Sequence, residues 1–198
     1  MKNMLKLGLI LTAYSLVACV GLAFVYAGTK TVIAERAQAD LEASLRSIFP
    51  AADEFAVVPP AELASPLPAV GFSAAYRISA AGALAGIALK TAGPSYGGAT
   101  TALVGVGVDR RIAGVRILEN KDTPGLGANA VSPNYYVDRA AKTTFAGQFA
   151  GMASDAAFRV KDDVVAITAS TITSTAVANI VKAAGAAGAA WLAAQGGN

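Results

Sequence analysis

Six hydroxyl side chains fall within eight positions near the carboxyl end of the chain, in the stretch AITASTITSTAV (166–177). They are Thr168, Ser170, Thr171, Thr173, Ser174 and Thr175, and no charged residue lies among them. An apolar run precedes them and an alanine-rich segment follows, which predicts a strand-to-helix junction. The first N–H groups of a helix lack partners within it and carry about half a positive charge, so such a junction can bind phosphate. Ordinary helix capping by one hydroxyl is the alternative.

A second stretch with a chemical use is TPGLG (123–127), which follows a predicted strand. Pro124 fixes its own φ, while Gly125 and Gly127 permit a positive φ or close approach of the backbone to a ligand. A plain turn after a strand would explain the same residues. Taken alone, each stretch therefore leaves both a structural and a ligand-binding interpretation open.

The composition restricts the chemistry that the side chains can perform. The 198 residues include no histidine, and the one cysteine, Cys19, lies in an apolar segment. Histidine acid–base chemistry is excluded, and we expect no metal site and no catalytic side chain. A net charge of +3 gives no basis for nucleic-acid binding. Any redox chemistry would have to be carried by a bound organic cofactor.

An uncharged run from Leu7 to Thr29 exceeds the ~20 residues that a helix needs to cross a bilayer. One alternative is a cleaved signal peptide, but no A-x-A-like cleavage site follows a short apolar core. The other alternative is the tetrapeptide LVAC, which ends at Cys19 and is similar to a lipoprotein processing box. The apolar run continues past Cys19, which favours an uncleaved membrane helix. Basic residues flank both ends of the run, so charge alone does not fix its orientation.

The rest of the chain predicts one α+β domain, because consecutive strands are followed by helices. An amphipathic helix follows the membrane segment and ends at Pro50. Segment 57–71 is expected to be an irregular connection, and 132–151 helical or mixed. Period-two patterns predict strands at 74–80, 83–92, 101–109, 112–120, 157–160 and 163–168, before a final helix over 172–194. The predicted organisation is a transmembrane anchor (1–30), a connecting helix (31–50) and the domain (51–198).

The order and spacing of several motifs resemble one family along nearly the whole chain. The motifs are the membrane helix, SYGG (95–98), GVDRRIAGVRILENKDTPGLG (107–127), FAGQFAG (145–151) and AITASTITSTAV (166–177). The family is the flavin-bearing G subunit of Rnf-type electron-transport complexes, which is related to the C subunit of sodium-pumping NADH:quinone oxidoreductase. The resemblance implies an FMN-binding α+β domain behind an amino-terminal transmembrane helix. It also implies covalent FMN, with its phosphate esterified to the last threonine of an S/T-G-A-T motif, which here is Thr171.

The resemblance implies a set of cofactor-binding residues at the two stretches. They are Thr168, Ser170, Thr171 and Thr173, together with Thr123, Pro124, Gly125, Leu126 and Gly127. Four aromatic residues could pack against the flavin ring, with a place in the core as the alternative for each: Tyr96, Tyr135, Tyr136 and Phe149.

Three positions depart from the family pattern. Ala169 stands where the family has glycine, and alanine tolerates a positive φ poorly. Ser170 replaces an alanine and is a second conceivable acceptor. Val165 occupies a position that is often aspartate.

By resemblance, the chain is expected to be an electron-relay subunit of a membrane-bound ion-translocating ferredoxin/NAD oxidoreductase, and not a complete enzyme alone. The implied partners are the other membrane subunits and a flavin transferase that installs the FMN. The implied location is the bacterial cytoplasmic membrane, crossed once, with the domain on the periplasmic side. Two alternatives stay open: a stand-alone flavinylated carrier for extracytoplasmic reductases, and a structural subunit that has lost its flavin.

Overall fold

The computed structural model describes residues 2–196, which form two compact units divided between Glu42 and Ala43. The domain boundaries expected at 30/31 and 50/51 stay predictions. The first unit belongs to helix α1 (Lys2–Ile48), which runs without interruption through both predicted helical segments. Its most apolar window has a mean hydropathy of 2.2 and is fully exposed, and by length and composition it is able to cross a membrane. The helix ends two residues before Pro50, because the residue before a proline disfavours helical φ and ψ.

A five-stranded antiparallel sheet forms the centre of the second unit. Its strands are β1 (Glu54–Val58), β2 (Gly71–Ala80), β3 (Ala83–Pro94), β4 (Ala99–Gly107) and β5 (Ile112–Glu119). Each strand pairs with the next in the chain, so the order in the sheet is the order in the sequence. The four strands expected between residues 74 and 120 are all present. The first strand, β1, was missed by the sequence analysis, since it is a short edge strand whose side chains are mostly exposed.

Helix α2 (Thr171–Gln195) covers one face of the sheet, and it matches the final helix predicted over 172–194. It is also apolar enough to pass the length and composition test for a membrane span, but 67% of the tested window is buried in the domain. The helix packs on β3 and β4, with Ile180 against Gly93 and Gly188 against Val106, Ile87 and Leu89. Small residues therefore let the helix backbone approach the sheet closely, and α2 is the core helix of the domain.

The opposite face of the sheet has a row of glycines that receives the end of α1. A Cβ atom placed on Gly105 would lie 2.7 Å from the Phe49 ring, and one on Gly86 would lie 2.9 Å from the same ring. A Cβ atom on Gly114 would lie 3.4 Å from Ile48. Ile48 is buried as a result. The carboxyl-terminal turn of α1 thus belongs to the packing of the domain.

The segment between β5 and α2 contains less regular structure than the sequence analysis predicted. Segment 132–151 holds a small hairpin, β6 (Tyr136–Asp138) with β7 (Thr143–Thr144), and a 3₁₀ helix, Gly147–Phe149. The strands expected at 157–160 and 163–168 are wrong, because this part of the chain has only a single bridge between Val160 and Val164. Positive φ angles at Phe158 (50°) and Lys161 (79°) break the extended backbone.

We expect Gly188→Leu to lower the free energy of unfolding by about 2 kcal/mol or more, because the new side chain has no space above Val106 and Ile87. Urea or thermal unfolding of the detergent-solubilised protein measures the change. Ala190→Leu, at an exposed position on the same helix, is the control and should change the free energy by less than about 0.5 kcal/mol. Equal effects of the two substitutions would contradict the described packing.

Candidate functional site

Helix α2 begins in the middle of the hydroxyl stretch, at Thr171, with Ser170 as its N-cap residue. The Ser170 side chain does not cap the helix by a hydrogen bond. Its hydroxyl is buried, with 7% of the residue exposed, and it has no hydrogen-bond partner. An unpartnered buried hydroxyl costs free energy comparable to a lost hydrogen bond. The ordinary capping role therefore does not account for Ser170.

Three of the six hydroxyls make hydrogen bonds within the folded domain. The Ser174 hydroxyl accepts a hydrogen bond from the Ile167 N–H and donates one to the Ser170 carbonyl, both at 2.9 Å. The Thr175 hydroxyl donates to the Thr171 carbonyl at 2.9 Å. The bonds of Ser174 fix the first turn of α2 to the segment before it, and the bond of Thr175 lies within the helix. The third is Thr173, whose hydroxyl donates a hydrogen bond to the Asp122 carboxylate.

The residues before the helix are held in a strained turn. Ala169 has a φ of +59°, in the left-handed region that favours glycine. The adjacent Thr168 N–H donates to the Tyr135 hydroxyl at 3.1 Å. Further back, the Gln148 amide accepts from the Val165 N–H at 2.8 Å and donates to its carbonyl at 3.2 Å. These contacts fix the chain that leads into the turn, in which Ala169 occupies a left-handed position that favours glycine.

The TPGLG stretch forms a tight turn next to α2. The Leu126 N–H donates to the Thr123 carbonyl at 3.1 Å, with Pro124 and Gly125 between them. Gly125 has a φ of +77°, which a type II turn requires at its third position. A 3₁₀ helix, Gly127–Ala130, follows. A Cβ atom on Gly127 would collide with the Thr173 hydroxyl, so the glycine permits the contact between the turn and α2.

A buried carboxylate, that of Asp122, connects these segments. It accepts hydrogen bonds of 2.6 Å from the hydroxyls of Ser95 and Thr173 and from the Gly97 N–H. Burial acts to raise the pKa of the Asp122 carboxyl, and the bonds from Ser95, Thr173 and Gly97 act in the opposite direction. The hydrogen bonds outweigh burial, so the pKa lies below its ordinary value and the group is ionised at neutral pH.

These segments enclose a cavity of about 450 Å³, a size typical of small-ligand sites. Its lining residues are Tyr96, Asp122, Thr123, Leu126, Gly127, Ala169, Ser170, Thr171, Ile172 and Thr173. The structure thus brings together six of the nine residues named from the sequence: Thr123, Leu126, Gly127, Ser170, Thr171 and Thr173. The other three, Thr168, Pro124 and Gly125, are exposed nearby and do not line the cavity.

The aromatic residues considered for ring packing differ in their positions. Phe149 is fully buried and packs edge-on against Phe145, so it is a core residue. Tyr135 and Tyr136 are half-buried and do not line the cavity. Tyr96 lies at the cavity and is 68% exposed. Of the four, Tyr96 alone has an accessible ring face beside the site.

Sequence reasoning missed Asp122 and its partners Ser95 and Gly97. Asp122 directly precedes TPGLG, and Ser95 and Gly97 belong to the SYGG motif. A lone aspartate after a strand is common in turns, so only its position before a glycine turn could have drawn attention to it. Its pairing with Thr173, 51 positions later in the chain, depends on the tertiary fold.

We expect Ala169→Gly to raise the free energy of unfolding by about 0.5–1 kcal/mol, because it relieves the cost of a left-handed alanine. Denaturant unfolding measures the change. Ala51→Gly is the control, since Ala51 is exposed and is not among the residues with positive φ. That substitution should be neutral or slightly destabilising, through the greater entropy of the unfolded chain. Destabilisation by Ala169→Gly would contradict the role of this turn.

Two family models match separate parts of the chain. Residues 95–186, which contain the cavity, match the family model described as FMN-binding domain. Residues 1–48 match the model described as RnfG N-terminal region. This second match and the apolar helix α1 together indicate membrane anchoring.

Curated relatives are G subunits of ion-translocating complexes. The chain is 30% identical over 191 residues to the G subunit of the Na(+)-translocating ferredoxin:NAD(+) oxidoreductase complex of Acetobacterium woodii. This match covers 91% of this chain and 89% of the relative. It is 37% identical over 123 residues to the G subunit of the ion-translocating oxidoreductase complex of Cereibacter sphaeroides, covering 61% of this chain and 55% of the relative. The match to the G subunit of the proton-translocating ferredoxin:NAD(+) oxidoreductase complex of Clostridium ljungdahlii is 40% over 94 residues, or 45% of each chain. The chain thus spans about half the length of the Cereibacter and Clostridium relatives and nearly all of the Acetobacterium one. By these matches the chain belongs to the family of G subunits of Rnf-type ion-translocating oxidoreductase complexes, and its folded domain is an FMN-binding domain.

Proposed function

We propose that this chain is a membrane-anchored electron-relay subunit of an ion-translocating ferredoxin/NAD oxidoreductase complex, with FMN attached to Thr171 by a phosphoester. The observation that carries the proposal is the site at the start of α2. There, exposed Thr171 adjoins free helix N–H groups and the unpartnered Ser170 hydroxyl, at one cavity. Among the described residues no group of three or more His, Cys, Asp or Glu side chains lies together.

The residues present fit a flavin phosphate. Helix N–H groups and a partial positive charge face the region where Thr171 begins the helix. The buried Ser170 hydroxyl supplies a donor that nothing in the described chain uses. A phosphate oxygen is the kind of acceptor that would satisfy it. Bound FMN would supply the electron-transfer chemistry, and the chain would supply position and electrostatics.

Thr171 is a better acceptor than Ser170 on grounds of access. Thr171 is exposed at the first residue of α2, whereas Ser170 is only 7% exposed. A flavin transferase must reach the hydroxyl oxygen, which loses its proton and forms the new P–O bond to the flavin phosphate as a phosphoanhydride bond of an activated flavin donor breaks and the rest of that donor leaves. We therefore assign the Thr171 hydroxyl oxygen as the ester oxygen and the Ser170 hydroxyl as a hydrogen-bond donor to the same phosphate. Thr173 has its only hydroxyl proton directed to Asp122, so it can at most accept from the ligand.

The flavin ring would extend from the phosphate toward the exposed mouth of the cavity. Leu126, 42% exposed, and Tyr96 lie at this cavity and offer an apolar edge and an aromatic face. This is where we place the ring. Gly127 has no side chain, so the backbone of the TPGLG turn can lie close to the ligand. The same lack of a side chain permits its contact with Thr173.

The alanine at position 169 does not support the alternative in which the subunit has lost its flavin. Alanine adopts the positive φ that glycine would adopt, so the turn into the helix keeps its form. Val165 lacks a carboxylate, and the nearby Asp163 is engaged with the Arg159 N–H at 3.0 Å. The geometry at Thr171 thus supports retention of the flavin.

Membership of this family supports a proposal for the location and the partners of the chain. The relatives are subunits of multi-subunit complexes, and we propose that this chain assembles with the other membrane subunits of such a complex. We place its domain on the periplasmic face of the bacterial cytoplasmic membrane, where a flavin transferase would act on it. A reporter enzyme that is active only in the periplasm should be active when it is fused after residue 196. A reporter that is active only in the cytoplasm should be inactive at the same position.

Flavin fluorescence of the denatured protein on a gel tests the covalent site. In a host that supplies a flavin transferase, we expect fluorescent bands for the wild type and for Ser170→Ala, and a dark band for Thr171→Ala. Thr171→Ser keeps a hydroxyl at the same place and should retain some fluorescence. A dark wild-type band, or fluorescence in Thr171→Ala, would contradict the assignment.

The Ser170 hydroxyl should have opposite effects in the two forms of the protein. Without flavin, Ser170→Ala removes an unpartnered buried hydroxyl and should raise the free energy of unfolding by about 1 kcal/mol. With flavin attached, it removes a donor to a charged phosphate and should lower that free energy by about 1–2 kcal/mol. Thermal unfolding of both forms measures the change of sign. Thr175→Ala, at an exposed position further along α2, is the control and should act equally on both forms.

A further inference from the structure

The cavity at the start of α2 contains a full negative charge as well as a partial positive one. Asp122 lines it and is 5% exposed. Within residues 2–196, no lysine or arginine lies within ion-pair distance of this carboxylate; the neighbouring Lys121 pairs with Glu119 at 3.2 Å. A phosphate site usually presents cations to its ligand. Here the fixed charge nearest the helix start has the same sign as the phosphate.

The hydrogen-bond donors around Asp122 all donate to its carboxylate. The hydroxyls of Ser95 and Thr173 each give their one proton to the same carboxylate oxygen, and the Gly97 N–H serves the other. These neutral donors stabilise the charge without neutralising it. They are also unavailable to a second anion. The phosphate is therefore left with the helix N–H groups and Ser170 as donors, opposite an ionised carboxylate.

The carboxylate is packed in place and has no room to turn away. A Cβ atom on Gly127 would lie 2.7 Å from the Asp122 Cβ and 2.9 Å from Oδ2. The Asp122 N–H also donates to the Asn120 side chain at 2.6 Å, while the Asn120 amide donates to the Gly127 carbonyl at 3.3 Å. The negative charge is thus a fixed part of the cavity wall.

We propose that Asp122 makes this cavity selective for a phosphodiester of single negative charge over a phosphomonoester of nearly double charge. The inference rests on the proposed function. Flavin phosphate esterified to Thr171 is a diester with one negative charge, whereas a free phosphomonoester carries about −1.5 to −2 at pH 7. Repulsion by a fixed charge grows in proportion to the ligand's charge and is strong where water is scarce. The helix start, with about half a positive charge, offsets only part of it.

This selectivity would separate the attached flavin from the free one. The site holds FMN once Thr171 has formed the ester, and it binds free FMN weakly before that. An unmodified chain consequently keeps its cavity open for the transferase, even when free FMN is abundant. Asp122 is in this sense a specificity-determining residue, and Thr171 remains the residue that bears the cofactor.

Binding of three flavins to the full-length unflavinylated protein in detergent tests the proposal. The probes are riboflavin, riboflavin 5′-phosphate and the methyl ester of riboflavin 5′-phosphate, which is a diester of single charge. Quenching of flavin fluorescence gives each Kd at pH 7.5. We expect the wild type to bind the methyl ester at least tenfold more tightly than the monoester. In Asp122→Asn the two affinities should agree within about threefold, chiefly because the monoester binds more tightly, and riboflavin binding should not change.

The variants are matched to the structure. An asparagine at position 122 can still accept from the Gly97 N–H and can donate to the Ser95 and Thr173 hydroxyls, which rotate to accept. Glu119→Gln is the control: it removes the same charge from an exposed side chain and should leave the tenfold preference intact. Circular dichroism melting shows whether each variant is folded.

Three results would overturn the proposal. They are equal affinity of the wild type for the monoester and the methyl ester, no binding of the methyl ester, and a tenfold preference that persists in folded Asp122→Asn. The first two need no variant. Gel fluorescence of the flavinylated protein tests the proposed function separately. A fluorescent wild-type band with equal affinities would therefore refute only the selectivity, and a dark band would refute the covalent site itself.

Discussion

The hydrogen bonds to the Asp122 carboxylate are the constraint on which the site depends. They join the turn after β3, the segment after β5 and the first turn of α2, which are far apart in the sequence. Without these bonds the buried Asp122 carboxylate and the buried Thr173 hydroxyl would have no partners, at a cost that folding could not easily offset. One charged side chain thereby fixes the relative positions of three loops. The cavity is the space that remains between them.

Some hydroxyls of the stretch 166–177 stabilise the fold, and others are proposed to bind or bear the flavin phosphate. Ser174 and Thr173 are buried and hold α2 to its surroundings, whereas Thr171 faces outward. Ser170 lies between these groups, buried like the first and unpaired. A helix that starts at a ligand site needs both kinds of hydroxyl, because its first turn must be anchored while its N–H groups stay free. This explains why one cap residue would not suffice here.

The sequence predicted the regular elements well, since strands 74–120 and the final helix depend on local periodicity. It failed in the region between β5 and α2, where backbone groups are satisfied by side chains such as Gln148, and where Phe158 and Lys161 take positive φ. The two site stretches could be recognised from residue types and spacing. Asp122 could not, because its importance comes from partners 25 to 51 positions away, which only the folded chain brings together.

The difference in exposure between two adjacent hydroxyls has a consequence for maturation. In an unfolded chain Ser170 and Thr171 would be equally accessible, and the less hindered serine would react at least as readily. Once α2 has formed, the Thr171 hydroxyl is exposed, whereas the Ser170 hydroxyl is buried in the cavity wall. If FMN is attached as proposed, the fold would set the regiochemistry of the modification, and attachment to the threonine would require a chain that had already folded.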